Sequence, residues 1–233
     1  MLLVCSATKS EHEACALGIR DAGARGFESL LVGVGPRHAA RRLRERLASG
    51  PAPSLILSCG FAGALAGELA QGTWIMAETL SEWTDGALLP ITAPAPLPVA
   101  VLDWPHSRCD LVSADHLIRP DSPLCRLASI RPLVADMESA ALAREAAACG
   151  VTFSVARLVS DTPDHPLPEF LSPFTAALAS SGAGPRFTLA ARGIGSAFTD
   201  PRGVARLLSE GRRLTKQLRT DFRKLAQLLD TSA

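Results

Sequence analysis

Residues 133–161 of the 233-residue chain read as one strand-helix-strand unit, and no other stretch constrains the fold as much. A short apolar run ends at Asp136, an Ala-rich helix follows from Glu138 to Cys149, and Val151 to Val159 is a β-branched run that delivers Ser160-Asp161 at its carboxyl end. Strands that alternate with helices favour a mostly parallel sheet covered on both faces. In open α/β sheets the ligand sits outside the carboxyl ends of the strands. The unit therefore joins two acidic residues, Glu138 and Asp161, through one helix and one strand, and is expected to place a carboxylate for a sugar beside a carboxylate for a base.

The rest of the chain continues the alternation. Leu2 to Ala7 reads as a buried strand, and Ser10 as the N-cap of a helix to about Ala22, with Glu13 as its capping-box partner. Ser29 to Val34 is the next strand, Gly35-Pro36 a turn, and Arg37 to Ala48 a basic amphipathic helix. Ser54 to Cys59 is an apolar strand expected to end in the small-residue turn Gly60-Phe61-Ala62-Gly63-Ala64, where backbone can approach a ligand closely. Thr73 to Leu80, Val99 to Leu102 and Cys109 to Ser113 read as further strands, separated by a Pro-rich loop after Leu80 and followed by a helix near Leu124 to Ser129. Beyond Asp161 come a Pro-rich loop, a helix from about Glu169 to Ala179, a loop at 180–185 and a final helix from about Pro201 to Leu229. The fold class is α/β: one three-layer α/β/α domain with a central mixed, mostly parallel sheet and a C-terminal helical extension.

With 47% hydrophobic and 20% charged residues the chain falls in the globular class, and disordered and fibrous classes are excluded. A net charge of +1 argues against nucleic acid as the main partner. The final helix is unlike the whole: Arg202, Arg206, Arg212, Arg213, Lys216, Arg219, Arg223 and Lys224 face only Glu210 and Asp221 between positions 202 and 224. Its leucines step by three and four, so the apolar stripe either packs on the domain or lies on an anionic membrane surface. The six cysteines show no CxxC spacing and no histidine pair accompanies them, which points to reduced thiols, no metal and a cytoplasmic location. The apolar start is too short for a signal peptide and lacks a basic leader, and no run reaches the length of a membrane span.

Each chemical candidate has two readings. Asp161, at a strand end before a Pro-rich loop, is either a partly desolvated acid able to donate a proton or a turn aspartate. Glu138 either accepts hydrogen bonds from two neighbouring hydroxyls, with Met137 against the apolar face of a sugar, or is a first-turn acid favoured by the helix dipole. Gly33-Val34-Gly35 has the start of a dinucleotide fingerprint, but His38 occupies the third small position.

Taken together, Ala7 to Glu13, Gly33-Val34-Gly35, Cys59-Gly60-Phe61-Ala62-Gly63, Ser113-Ala114-Asp115, Asp136-Met137-Glu138 and Arg157 with Ser160-Asp161 resemble the nucleoside phosphorylase and nucleosidase superfamily in order and spacing. That superfamily includes methylthioadenosine/S-adenosylhomocysteine nucleosidase, futalosine hydrolase and purine nucleoside phosphorylase. The resemblance spans residues 1–180, leaving 181–233 as a C-terminal loop and basic amphipathic helix. It implies cleavage of an N-glycosidic bond without cofactor or metal. Asp161 would protonate or hydrogen-bond N7 of a purine, Glu138 would bind the ribose hydroxyls beside Met137, and Glu11 would assist the nucleophile, with Glu13 as the alternative. Ser160, Gly60, Phe61, Gly63, Leu117 and Ile118 would line the substrate pocket, and the chain would form homo-oligomers. Phe61 and Leu117 depart from the family pattern and make the pocket more apolar. The usual phosphate-binding arginine is replaced by Ser58-Cys59, leaving Arg37 as a candidate.

The arginine-rich final helix is similar to that of the hopanoid-associated phosphorylases, which implies adenine release from adenosylhopane with phosphate or water as acceptor, and a cytoplasmic or membrane-peripheral enzyme. Three other readings stay open: a nucleosidase for methylthioadenosine, S-adenosylhomocysteine or futalosine, a non-catalytic nucleoside-binding protein, and a nicotinamide-dependent oxidoreductase.

Overall fold

The computed structural model describes residues 1–65, 68–98, 101, 104–119, 122–127, 131–179 and 200–231. Its strands are β1 (Leu2–Ser6), β2 (Phe27–Leu31), β3 (Leu55–Ala64), β4 (Trp74–Thr84), β5 (Ala87–Ile91), β6 (Ser107–Ala114), β7 (Leu133–Asp136) and β8 (Thr152–Asp161). The helices are α1 (Lys9–Ala22), α2 (Pro36–Ser49), α3 (Pro123–Leu127), α4 (Ser139–Ala148), α5 (Leu171–Ala179) and α6 (Pro201–Asp230).

The sheet is mixed and mostly parallel. It runs β2-β1-β3-β7-β6-β4-β5, with β8 inserted between β3 and β4. The pairs β1–β2, β1–β3, β3–β8, β4–β6 and β6–β7 are parallel, and β3–β7, β4–β8 and β4–β5 antiparallel. Because β3, β8, β4, β6 and β7 each pair with the next and β7 returns to β3, the middle of the sheet curls into a closed circuit. Gly63 pairs with Ala135 on one side and Asp161 on the other, so the circuit brings the ends of β7 and β8 together.

Both faces of the sheet are covered, which explains why β1 and β3 are apolar without alternation. Leu3, Cys5 and Ile56 pack with Leu43 of α2 and Leu142 of α4, whereas Val4, Leu57 and Cys59 pack with Cys15 of α1 and Leu218 and Phe222 of α6. The stripe of α6, Leu214, Leu218, Phe222, Leu225 and Leu229, is therefore buried in the domain and is not free to enter a membrane. A Cβ on Gly18 would stand 3.1 Å from the backbone of Arg219 and Arg223, so glycine lets α1 and α6 approach closely. Asp200 caps α6, its carboxylate accepting from the Gly203 amide at 2.8 Å, and Arg219 pairs with Asp21 at 2.6 Å. None of the described helices is long and apolar enough to cross a membrane.

Several local expectations are corrected. The N-cap of α1 is Thr8, and its capping-box partner is Glu11, not Ser10 and Glu13. Strand β3 does not end at Cys59; pairing with β8 carries it through the small residues to Ala64, past a bulge at Ala62/Gly63. Strand β4 extends to Thr84 and turns at Asp85-Gly86, both at positive φ, into β5, inside the span expected to be loop. The expected strand Val99 to Leu102 falls outside the described residues except for Val101, whose amide bonds back to Pro98 in a turn. The loop at 180–185 and the last residues of the helix near Ser129 also lie outside the described residues.

Candidate active site

Glu11 sits at the start of α1 with its carboxylate held from both sides. One oxygen accepts from the Thr8 amide and the Thr8 hydroxyl, each at 2.7 Å, and the other from the Phe61 amide at 2.7 Å. A Cβ on Gly60 would fall 2.4 Å from that second oxygen, so only glycine lets β3 pass under the carboxylate. Glu11 is 3% exposed, yet it lines the principal cavity.

Glu138 lies between β7 and α4 and accepts a hydrogen bond from the Gly35 amide at 2.8 Å. Behind it runs a buried network. Arg157 donates to Asp136 at 2.5 Å, Ser58 at 2.8 Å and Ser139 at 3.0 Å, while Ser113 and Ser139 also donate to Asp136. Burial alone would favour neutral Arg157, but the charges of Asp136, Glu138 and Glu11 hold it protonated. Among the described residues no ion pair reaches Glu138, and burial together with the Asp136 charge pushes its carboxyl up to about 8.

That shift fixes a pH dependence. An acid whose folded-state pKa is raised binds more protons folded than unfolded, so it favours the fold at low pH and loses that contribution as pH rises. Between about 4.5 and about 8, Glu138 is expected to give wild-type stability a falling component of up to about 1.4 kcal/mol per pH unit. Urea unfolding across that range should show the stability of Glu138→Gln gaining on that of wild type as pH rises. Parallel curves would contradict the assignment.

Asp161 ends β8. Its carboxyl is raised above the usual range by burial, against the opposing hydrogen bond from the Ser160 hydroxyl at 2.6 Å. A Cβ on Gly63 would come within 2.7 Å of the carboxylate, so Gly63 makes room for the acid where three strands meet. Asp161 and Met137 line both the principal cavity, of about 900 Å³, and a smaller one of about 190 Å³ that continues from it past Leu117, Ile118 and Pro166.

No protein-family model matches this chain, and no curated protein matches it. Solved structures do. A Borrelia burgdorferi protein assigned as a 5′-methylthioadenosine/S-adenosylhomocysteine nucleosidase and bound to adenine is 14% identical, with a TM-score of 0.63 over 100% of each chain. A mutant Helicobacter pylori 5′-methylthioadenosine/S-adenosylhomocysteine nucleosidase with 5′-methylthioadenosine in its active site is 15% identical, with a TM-score of 0.59 over 81% of this chain and 96% of that one. A Helicobacter pylori futalosine hydrolase mutant is 14% identical, with a TM-score of 0.55 over 68% of this chain and 89% of that one. The chain has the nucleosidase fold.

Within this nucleosidase fold, Glu11, Phe61, Gly63, Leu117, Met137, Glu138, Ser160 and Asp161 all line the principal cavity, and Ile118 the smaller one. Gly60 stands behind Glu11. Glu13 also reaches the cavity wall, but the capping box belongs to Glu11. Arg37 is exposed and lines neither cavity. Three contributors escaped the sequence reading: Thr8, the Phe61 amide, and the first half of α6, which brings Leu207, Leu208 and Arg212 to the cavity. The Thr8-x-x-Glu11 spacing was a readable capping-box signal for the first. No local pattern marks a backbone amide or a helix that arrives from the far end of the chain. Among the described residues no cluster suits a metal ion.

Proposed function

We propose that this chain is an enzyme that cleaves the N-glycosidic bond of a purine nucleoside. The observation that carries the reading is that Glu11 from the start of α1 and Glu138 and Asp161 from the two ends of the β7–α4–β8 unit open onto one cavity. Asp161, whose carboxyl burial raises above the usual carboxylate range, donates in its protonated form to the departing base as the carbon–nitrogen bond breaks. Glu138, once ionised, accepts hydrogen bonds from the two ribose hydroxyls, with Met137 beside the sugar. Glu11, fixed by three donors, takes the proton of the nucleophile, and nearby negative charge favours an oxocarbenium-like sugar.

Water fits better than phosphate as the nucleophile. The Gly35 amide at the start of α2, a natural anion site, already binds Glu138. Arg157 is engaged with Asp136, and Arg37 is exposed and does not line the cavity. The same feature speaks against a nicotinamide dinucleotide, because a carboxylate occupies the place of the pyrophosphate.

The substrate proposed is an adenosyl nucleoside with a bulky apolar 5′ substituent. The cavity, near the top of the roughly 300–1,000 Å³ range for small-molecule sites, continues from Met137 to Leu17, Leu207, Leu208 and Leu214 under α6. Adenosylhopane is such a compound. Adenine release from adenosylhopane and from methylthioadenosine, each with and without phosphate, tests the reading. Release without phosphate and a higher kcat/KM for the hopane are expected. Strict phosphate dependence would overturn the acceptor, preference for methylthioadenosine the substrate, and no adenine from either the function.

A further inference from the structure

We infer that the outward face of α6 docks the chain on an anionic lipid bilayer with the cavity mouth turned toward the membrane. At 30 residues, α6 is about 45 Å long. With its apolar stripe facing the domain, Arg202, Arg206, Arg213, Lys216, Arg223 and Lys224 fall within about 60° of one line along the opposite side. No carboxylate lies on that face; Glu210, Asp221 and Asp230 all sit off it. Among the described residues the side chains of Arg202, Arg223 and Lys224 make no hydrogen bond or ion pair, so their charge is uncompensated.

A basic ridge alone is usually only a solvated surface. Here a second, independent feature adjoins it. Leu208, at 54% exposure, is the most exposed large apolar side chain among the described residues, and it stands on the wall of the principal cavity. Arg212 and Lys216, one and two turns further along α6, border the same cavity and join its mouth to the ridge. A bilayer with acidic headgroups complements both parts: headgroup anions meet the ridge, and the acyl boundary receives Leu208. A nucleic acid would gain only the first, since Phe222, the one aromatic of α6, is fully buried and offers no base a stacking surface. The mode differs from insertion of the leucine stripe, which the domain already buries. It also does not depend on the chemistry proposed for the cavity.

Co-sedimentation of the full chain with phosphatidylcholine vesicles, with and without phosphatidylglycerol, tests the inference. Binding is expected to the phosphatidylglycerol vesicles alone, and to vanish near 1 M salt, where the screening length is about 3 Å. The triple variant Arg202→Glu/Arg223→Glu/Lys224→Glu should bind those vesicles at least tenfold more weakly, with an unchanged melting temperature and unchanged turnover of methylthioadenosine. Equal binding to neutral vesicles, wild-type binding by the variant, or capture by duplex nucleic acid and not by vesicles would each overturn the docking. Loss of turnover on every adenosyl compound with vesicle binding intact would instead remove the proposed function and leave the docking standing.

Discussion

Asp161→Asn is expected to lower turnover by about 10²- to 10⁴-fold and to leave the fold intact. Asparagine keeps the shape of the side chain and can still accept from Ser160, so the packing around Gly63 has no reason to change. What it cannot do is release a proton to the base as the glycosidic bond breaks. The loss should appear in kcat more than in KM, because the transfer belongs to the transition state. A riboside with a nitrophenolate leaving group needs no proton on departure, and its hydrolysis should suffer far less. Pre-steady-state base release and a thermal melt read both effects. Equal losses on the two substrates, or full turnover by the variant, would remove Asp161 as the acid.

Arg157→Met is expected to destabilise the chain by about 3–5 kcal/mol, or roughly 6–20 °C in melting temperature for a chain of this size. The guanidinium and the Asp136 carboxylate are each at most 2% exposed and meet at 2.5 Å. Removing the cation strands Asp136 as a buried negative charge and takes away the positive charge that opposes the rise at Glu138, and the hydroxyls of Ser58 and Ser139 lose a donor. The double variant Arg157→Met/Asp136→Asn should recover part of the loss, because it removes the stranded charge. Urea unfolding of the single and double variants checks both statements. A single variant as stable as wild type would mean that Asp136 finds another counter-charge.

Much of this arrangement was legible in the sequence, for identifiable reasons. The unit from Leu133 to Asp161 has a strong period change and a fixed spacing, so its strands, its helix and the positions of Asp136, Glu138 and Asp161 follow from local pattern. The end of β3 did not, because small residues read as a turn when their purpose is to let the Glu11 and Asp161 carboxylates pass. The β4–β5 hairpin carried a readable Asp85-Gly86 signal, masked by the prolines that follow it. Thr8 and Ser10 begin overlapping capping boxes, and only packing against the Phe61 amide decides between Glu11 and Glu13. The closed circuit of strands and the reach of α6 over the cavity depend on contacts between distant segments, which no local pattern encodes.

On the function proposed for the cavity, its three carboxylates direct water onto the sugar carbon of a nucleoside. Incubating the chain with an adenosyl nucleoside in phosphate-free, heavy-oxygen water and weighing the products by mass spectrometry tests it directly. Free adenine and a ribosyl product carrying one heavy oxygen at the former glycosidic carbon are predicted. Intact nucleoside, or release that begins only when phosphate is added and yields a sugar phosphate, would contradict it.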